Sequence, residues 1–281
     1  MSIDSVFPNR RLEIDNSVVR RLVSTFTLAF VSVIPLFVLF RIFLHIYNIG
    51  GDWIIFYPAL QANDPYSISG YYNPPWLLWL LYPLSFLDQL SAHALWITLV
   101  LLLTIRCVYE LGGNWVSLLL AIVSPGFIMS MLNGQIDILV LLGLLTGSWA
   151  LTLIKPQVLG MSILYRTIVT RKIDWVSIGL ITVSLMVSGL WITRMAKLPN
   201  NAGWNLSLFP IGVPIGIILF IASVIKKDIY LAALSTYFFA PYMSRSSMLV
   251  YSIILTSRYN KWIGFVFTVG LWAVWIIFPG Y

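Results

Sequence analysis

Apolar runs long enough to cross a bilayer, at about 20 residues each, recur from Leu22 to Phe278 with only short polar breaks between them. Hydrocarbon offers no partner for unpaired backbone groups, so runs of this kind can cross it only as helices. The composition points the same way: of 281 residues, 59% are hydrophobic and 10% are charged, against roughly a quarter charged in soluble domains. The reading is one all-α transmembrane domain over residues 1–281, with about ten or eleven transmembrane or half-crossing helices.

Seventeen Lys and Arg against ten Asp and Glu give a net charge of +7. In a soluble chain that balance would suggest nucleic acid, but in a membrane chain the positive-inside rule explains it, and no nucleic-acid partner is expected. Arg10, Arg11, Arg20 and Arg21 precede the first run, which makes residues 1–21 cytoplasmic and residues 47–73 the first external loop of a multi-pass cell-membrane protein. No small-residue cleavage site follows the first run, so it reads as an uncleaved span and not as a signal peptide. Further basic sets at Arg166, Arg171 and Lys172, at Lys226 and Lys227, and at Arg258 and Lys261 mark cytoplasmic turns. Cys107 has no second cysteine to pair with, and His45 and His93 are far apart, so no disulfide, metal or other cofactor is expected.

The first span, Leu22 to Ile46, delivers the chain to "DWIIFYPALQA", in which Trp53, Phe56, Tyr57 and Leu60 share one face of a short amphipathic helix suited to the interface. Asn63 and Asp64 before Pro65 form a turn, and Pro74-Pro75 opens a second span. Between Val116 and Ile168 the breaks at Pro125-Gly126, Asn133-Gly134 and Lys155-Pro156 leave pieces too short for full crossings, which predicts broken helices. A full span from Ile173 to about Thr193 and four later segments, Leu208 to Ile225, Ile229 to Tyr242, Ser247 to Thr256 and Trp262 to Phe278, complete the count, and the sequence has no internal repeat of the kind that marks many transporters.

Ionisable side chains inside apolar segments are costly to bury, so each is a candidate for function. Arg106 and Glu110 stand four apart on one helix face and neutralise each other. Asp52 ends the first span and has no basic neighbour closer than Arg41; it is either a solvated loop carboxylate or a catalytic one. Gln135 and Asp137 follow a helix break, where they either hydrogen-bond a ligand or satisfy the unwound backbone at Gly134. Lys155, Arg194 and Arg245 either snorkel and terminate spans or hold an anion. Tyr57 and Tyr66 either stack on a ligand or belong to an interfacial aromatic belt.

The order "GGDWIIFYPALQANDPY", "YYNPPWLLWLLYPL", "NGQIDILVLLGLL", "LIKPQ" and "APYMSRSSMLVY" resembles the glycosyltransferase-C class of membrane enzymes. The likeness is greatest to the polyprenyl-phosphate-dependent mannosyltransferases of glycosyltransferase family 87 and their uncharacterised relatives. Asp52, Pro65-Tyr66, Pro74-Pro75, Gly134-Gln135 and Lys155-Pro156 occupy the places of that family's short motifs. The resemblance implies an inverting transfer of a hexose such as mannose, from a polyprenyl-phosphate donor to a hydroxyl of a glycan or glycolipid, on the external side of the membrane. It also implies Asp52 as general base, with Lys155, Arg245 and Arg194 at the donor phosphate and Tyr57, Tyr66, Gln135 and Asp137 at the substrate. The short stretch between Gly134-Gln135 and Lys155-Pro156 raises an alternative: a non-catalytic subunit of the same descent, which binds membrane lipids or joins a larger membrane complex.

Overall fold

A computed structural model of the chain describes residues 33–47, 50–189 and 205–277. The basic N-terminal residues, the start of the first expected span and Arg194 lie outside them. The described residues are helical, with no strand among them. We number the helices α1 (Val33–Tyr47), α2 (Trp53–Gln61), α3 (Pro75–Leu81), α4 (Gln89–Glu110), α5 (Trp115–Ile122), α6 (Pro125–Asn133) and α7 (Asp137–Thr146). There follow α8 (Trp149–Thr152), α9 (Pro156–Tyr165), α10 (Trp175–Ser188), α11 (Val213–Lys226), α12 (Ile229–Phe239), α13 (Met248–Ile254) and α14 (Lys261–Ile277).

Polar residues at the breaks start these helices. Asp88, Asn114, Ser124, Ser148, Asp174 and Asp228 each accept a hydrogen bond from a backbone N–H in the first turn that follows. Proline stands at the first position of α3, α6 and α9, where its missing N–H costs nothing. Asp64 caps the short 3-10 turn Pro65–Ser67 by accepting from the Tyr66 N–H, the turn role expected for it. Arg106 and Glu110 form the expected pair, with N–O at 2.8 Å.

The region expected to hold broken helices does so. α5 and α6 meet at 59° across Val123 and Ser124, α6 ends on Gly134 in the left-handed conformation, and α7 ends likewise on Gly147. Only α4 is by itself both long and apolar enough to cross a membrane among the described residues; the bent α5–α6 pair is a second if counted as one span. Most of the others are apolar helices of 10–17 residues or shorter, because proline, glycine and cap residues interrupt the apolar runs.

One expectation changes. The apolar face of α2 does not lie free at an interface: Trp53, Phe56, Ala59 and Leu60 are buried in the core, and Trp53 stacks on His93 with ring centroids 5.2 Å apart. The Trp53 indole N–H also donates to the Gln89 carbonyl at 3.2 Å, which draws α2 against the start of α4.

Polarity is distributed inside out at the periphery. The only buried residues of α10 are Ser177 and Ser184, those of α11 are Gly216 and Ser223, and those of α14 are Gly264 and Thr268. Outward, Val176 is 84% exposed and Ile225 75%. Small and hydroxyl residues at the contacts let helix backbones approach closely without needing water-driven burial. α12 lies between α9 and α11, and Gly126 of α6 rests against the main chain of α13, where a Cβ would stand 2.3 Å from the Leu249 nitrogen. Because backbone cannot step aside as a side chain can, Gly126→Ala is predicted to cost about 1–3 kcal/mol. Gly179→Ala, with no atom near its Cβ, is predicted to leave stability unchanged or slightly raised. Unfolding midpoints of both variants in detergent check this.

Candidate functional site

Among the described residues there are seven acidic side chains, and the structure accounts for each. Asp64, Asp88, Asp174 and Asp228 cap helices, and Glu110 pairs with Arg106. The remaining two, Asp52 and Asp137, meet in one hydrogen-bonded network. Asp52 stands at the N-cap position of α2, yet its carboxylate makes no capping bond there. It turns instead toward the Gln135 carboxamide, whose Nε2 donates to its Oδ2.

Gln135 joins the two halves of the network. Its Oε1 accepts from the Lys155 Nζ at 2.7 Å, and the same ammonium donates to Asp137 Oδ2 at 3.1 Å. Asp137 is fully buried, and its other oxygen accepts from the Ser247 hydroxyl at 2.7 Å. Four segments far apart in sequence thus converge: the starts of α2, α7 and α9, and the residue before α13. Helix starts carry partial positive charge, so the two carboxylates sit where that charge favours them. A lysine has three donors; two of those of Lys155 are engaged, and its side chain remains 14% exposed.

Local structure explains the convergence. The left-handed turn at Gly134 (φ +68°) throws Gln135 out of α6, and only glycine fits there, since a Cβ would lie 3.0 Å from Trp53 and 3.1 Å from His93 Nε2. The Trp96 indole N–H donates to the carbonyls of both Gly134 and Gln135 and pins that turn. Trp96 in turn stacks on Trp53, the residue after Asp52, at 6.4 Å. Lys155 is held out of the helical conformation (φ −136°, ψ 81°) because it precedes Pro156.

The network therefore unites Asp52, Gln135, Asp137 and Lys155. Other expected residues stand apart. The Arg245 guanidinium lies 6.0 Å over the ring of Trp275, although its neighbour Ser247 touches Asp137. The Tyr57 hydroxyl donates to the Leu87 carbonyl and that of Tyr66 to the Asn73 carbonyl. Two members were not foreseen, Ser247 and Trp96; the run "SRSS" was a signal for the first, whereas nothing in the spacing of Trp96 distinguishes it from other core aromatics.

Burial pushes the Asp52 carboxyl above the ordinary carboxylate range; the charge of Lys155 and the Gln135 hydrogen bond pull it down, and Asp137 adds a smaller push upward. No protein-family model, curated protein or solved structure matches the chain.

Removing Lys155 leaves Asp137 as a buried carboxylate with no cation, at a cost of about 3–5 kcal/mol. Lys155→Met is therefore predicted to be strongly destabilising, and Lys155→Met combined with Asp137→Leu to recover most of that loss, read as unfolding midpoints of the purified variants.

Proposed function

We propose that the chain is a multispanning protein of the cell membrane, with a cytoplasmic N-terminus, that catalyses sugar transfer from a polyprenyl-phosphate donor to an acceptor hydroxyl on the external side. The reading joins the resemblance to glycosyltransferase-C enzymes with one observation: Asp52, Gln135, Lys155 and Asp137, four of the residues that the resemblance singles out, form a single network. Support for many spans comes from helices that bury serine, threonine and glycine while exposing isoleucine, valine and tryptophan. Such a surface is unfavourable in water and suits hydrocarbon.

In the proposed reaction the Asp52 carboxylate takes the proton of the acceptor hydroxyl as its oxygen attacks the anomeric carbon. The bond from that carbon to the phosphate oxygen breaks on the opposite face, the configuration inverts, and polyprenyl phosphate leaves as an anion. The third N–H of Lys155, beside the converging helix starts, stabilises the developing charge. Gln135 and Asp137 hold the ammonium and the base in register. Arg245, on the loop that carries Ser247 but turned over Trp275, and Arg194 are the candidates for a second cation. The hydroxyls of Tyr57 and Tyr66 are held by main-chain carbonyls, so their ring faces are what they offer to a sugar.

A second reading is a non-catalytic subunit of a larger membrane complex. It is favoured by Lys155 being already paired with Asp137 and by α8 being only four residues long between α7 and α9.

Transfer by the unaltered chain and by Asp52→Asn separates the two. Loss of the base is expected to lower transfer by about 10²–10⁴-fold in a folded variant; unchanged turnover would remove Asp52 as the base, and no transfer by the unaltered chain, with stoichiometric co-purification of another complex, would establish the second reading. A base acts deprotonated, so transfer is expected to rise with pH through the raised Asp52 value, with half-maximum above the usual carboxylate range. Removal of the Lys155 charge is expected to move that midpoint further up; a midpoint in the ordinary carboxylate range would argue against Asp52.

A further inference from the structure

The two ends of the helices differ in charge, although Asp174 and Asp228 cap helices at the basic end. Asp52, Asp64 and Asp88 gather at one end, where α2 and α4 begin. At the other end, Arg166, Arg171 and Lys172 follow α9, Lys226 and Lys227 link α11 to α12, and Arg258 and Lys261 link α13 to α14. These links lie together: the Tyr259 hydroxyl donates to Asp228 Oδ2 at 3.0 Å, and the Arg258 guanidinium stands 5.1 Å over the Tyr230 ring. Arg166 is within electrostatic reach of that ring and donates to the Leu144 carbonyl at 2.7 Å.

None of the seven cations forms an ion pair with a carboxylate among the described residues. Asp228, the nearest, accepts instead from the Tyr230 N–H and from Tyr259. Each link also sits at the margin of an exposed apolar face. Trp262, 67% exposed, follows Lys261; Trp175, 71% exposed, follows the Arg171-Lys172 pair; Ile225 precedes Lys226. Cations without an ion pair, bordered by exposed tryptophan and isoleucine, are the pattern suited to the phosphate layer of a bilayer.

We propose that this end is a docking surface for anionic lipid headgroups, in which Arg258, held flat on Tyr230, and Lys227, in its left-handed turn after α11, hold a lipid phosphate. The surface rests on the multispanning reading and not on sugar transfer. Bound lipid neutralises charges that form no ion pair among the described residues, and so ties the ends of α9, α11, α12 and α13 together.

The test uses the full chain in nanodiscs of phosphatidylcholine alone and of phosphatidylcholine with phosphatidylglycerol. Phosphatidylglycerol is expected to raise the unfolding midpoint and to remain bound in native mass spectrometry, and high salt to abolish the rise. Arg258→Gln with Lys227→Gln is expected to reduce phosphatidylglycerol retention by roughly 30-fold, at about 1 kcal/mol per cation near an anionic surface. The Arg106→Gln control should retain it, because Arg106 is already paired. Equal midpoints in the two lipids, or equal retention by the double variant and the control, would overturn the proposal, as would inorganic phosphate reproducing the whole effect. Should the double variant fail to fold, the lipid and salt dependence of the unaltered chain decides the matter alone. None of these readouts involves sugar transfer, so failure here and failure of the Asp52 assignment are distinguishable.

Discussion

The Lys155 ammonium, placed between Asp137 and Gln135, is the interaction on which the centre of this molecule depends. A carboxylate as buried as that of Asp137 is expensive to ionise unless a cation and hydrogen bonds accompany it, and here Lys155, Ser247 and the start of α7 provide them. The geometry that this demands explains the broken helices. α6 must stop at Gly134 for Gln135 to turn inward, and α9 must start at Pro156 for Lys155 to point back toward α7. The main-chain breaks and the polar network are thus two aspects of one arrangement.

Around that centre the packing does not follow the pattern of a water-soluble protein. Peripheral helices meet through Ser177, Ser184, Gly216, Ser223, Gly264 and Thr268, and present their large apolar side chains outward. Two of these hydroxyls bond back to carbonyls of their own helix, Ser184 to Ile181 and Ser223 to Phe220, and that of Ser177 bonds Asp174. Packing by small residues allows short helices to be held by close backbone approach, most clearly where Gly264 lies against Thr256 and Gly126 against Leu249. The remaining charge is carried at the helix ends, where the basic links lie beside the capping Asp174 and Asp228.

Much of this is legible in the residues alone. Helix starts follow from cap residues and prolines, so Pro75, Pro125 and Pro156 begin helices where the sequence placed the breaks. The Asp64 turn and the Arg106–Glu110 pair are local, within two and four residues, and local rules suffice for them. Four of the expected site residues also meet. What escaped the sequence depends on direction in space. Arg245 and Ser247 are two residues apart, yet one side chain lies over Trp275 and the other bonds Asp137. The apolar face of α2 was visible, but whether lipid or protein covers it depends on His93 and Trp96, some forty residues further on. Tyr57 and Tyr66 are drawn aside by the Leu87 and Asn73 carbonyls, partners that spacing does not reveal.

Coupling between residues that only the fold brings together is the most direct check on this account. A double-mutant cycle on Gln135→Leu and Lys155→Met, followed by unfolding midpoints in one detergent, measures it. Residues in one hydrogen-bond network show interaction energies of about 0.5–3 kcal/mol, and a value in that range is the expected result. Additive effects would contradict the convergence of Asp52, Gln135, Lys155 and Asp137 and the site built on it.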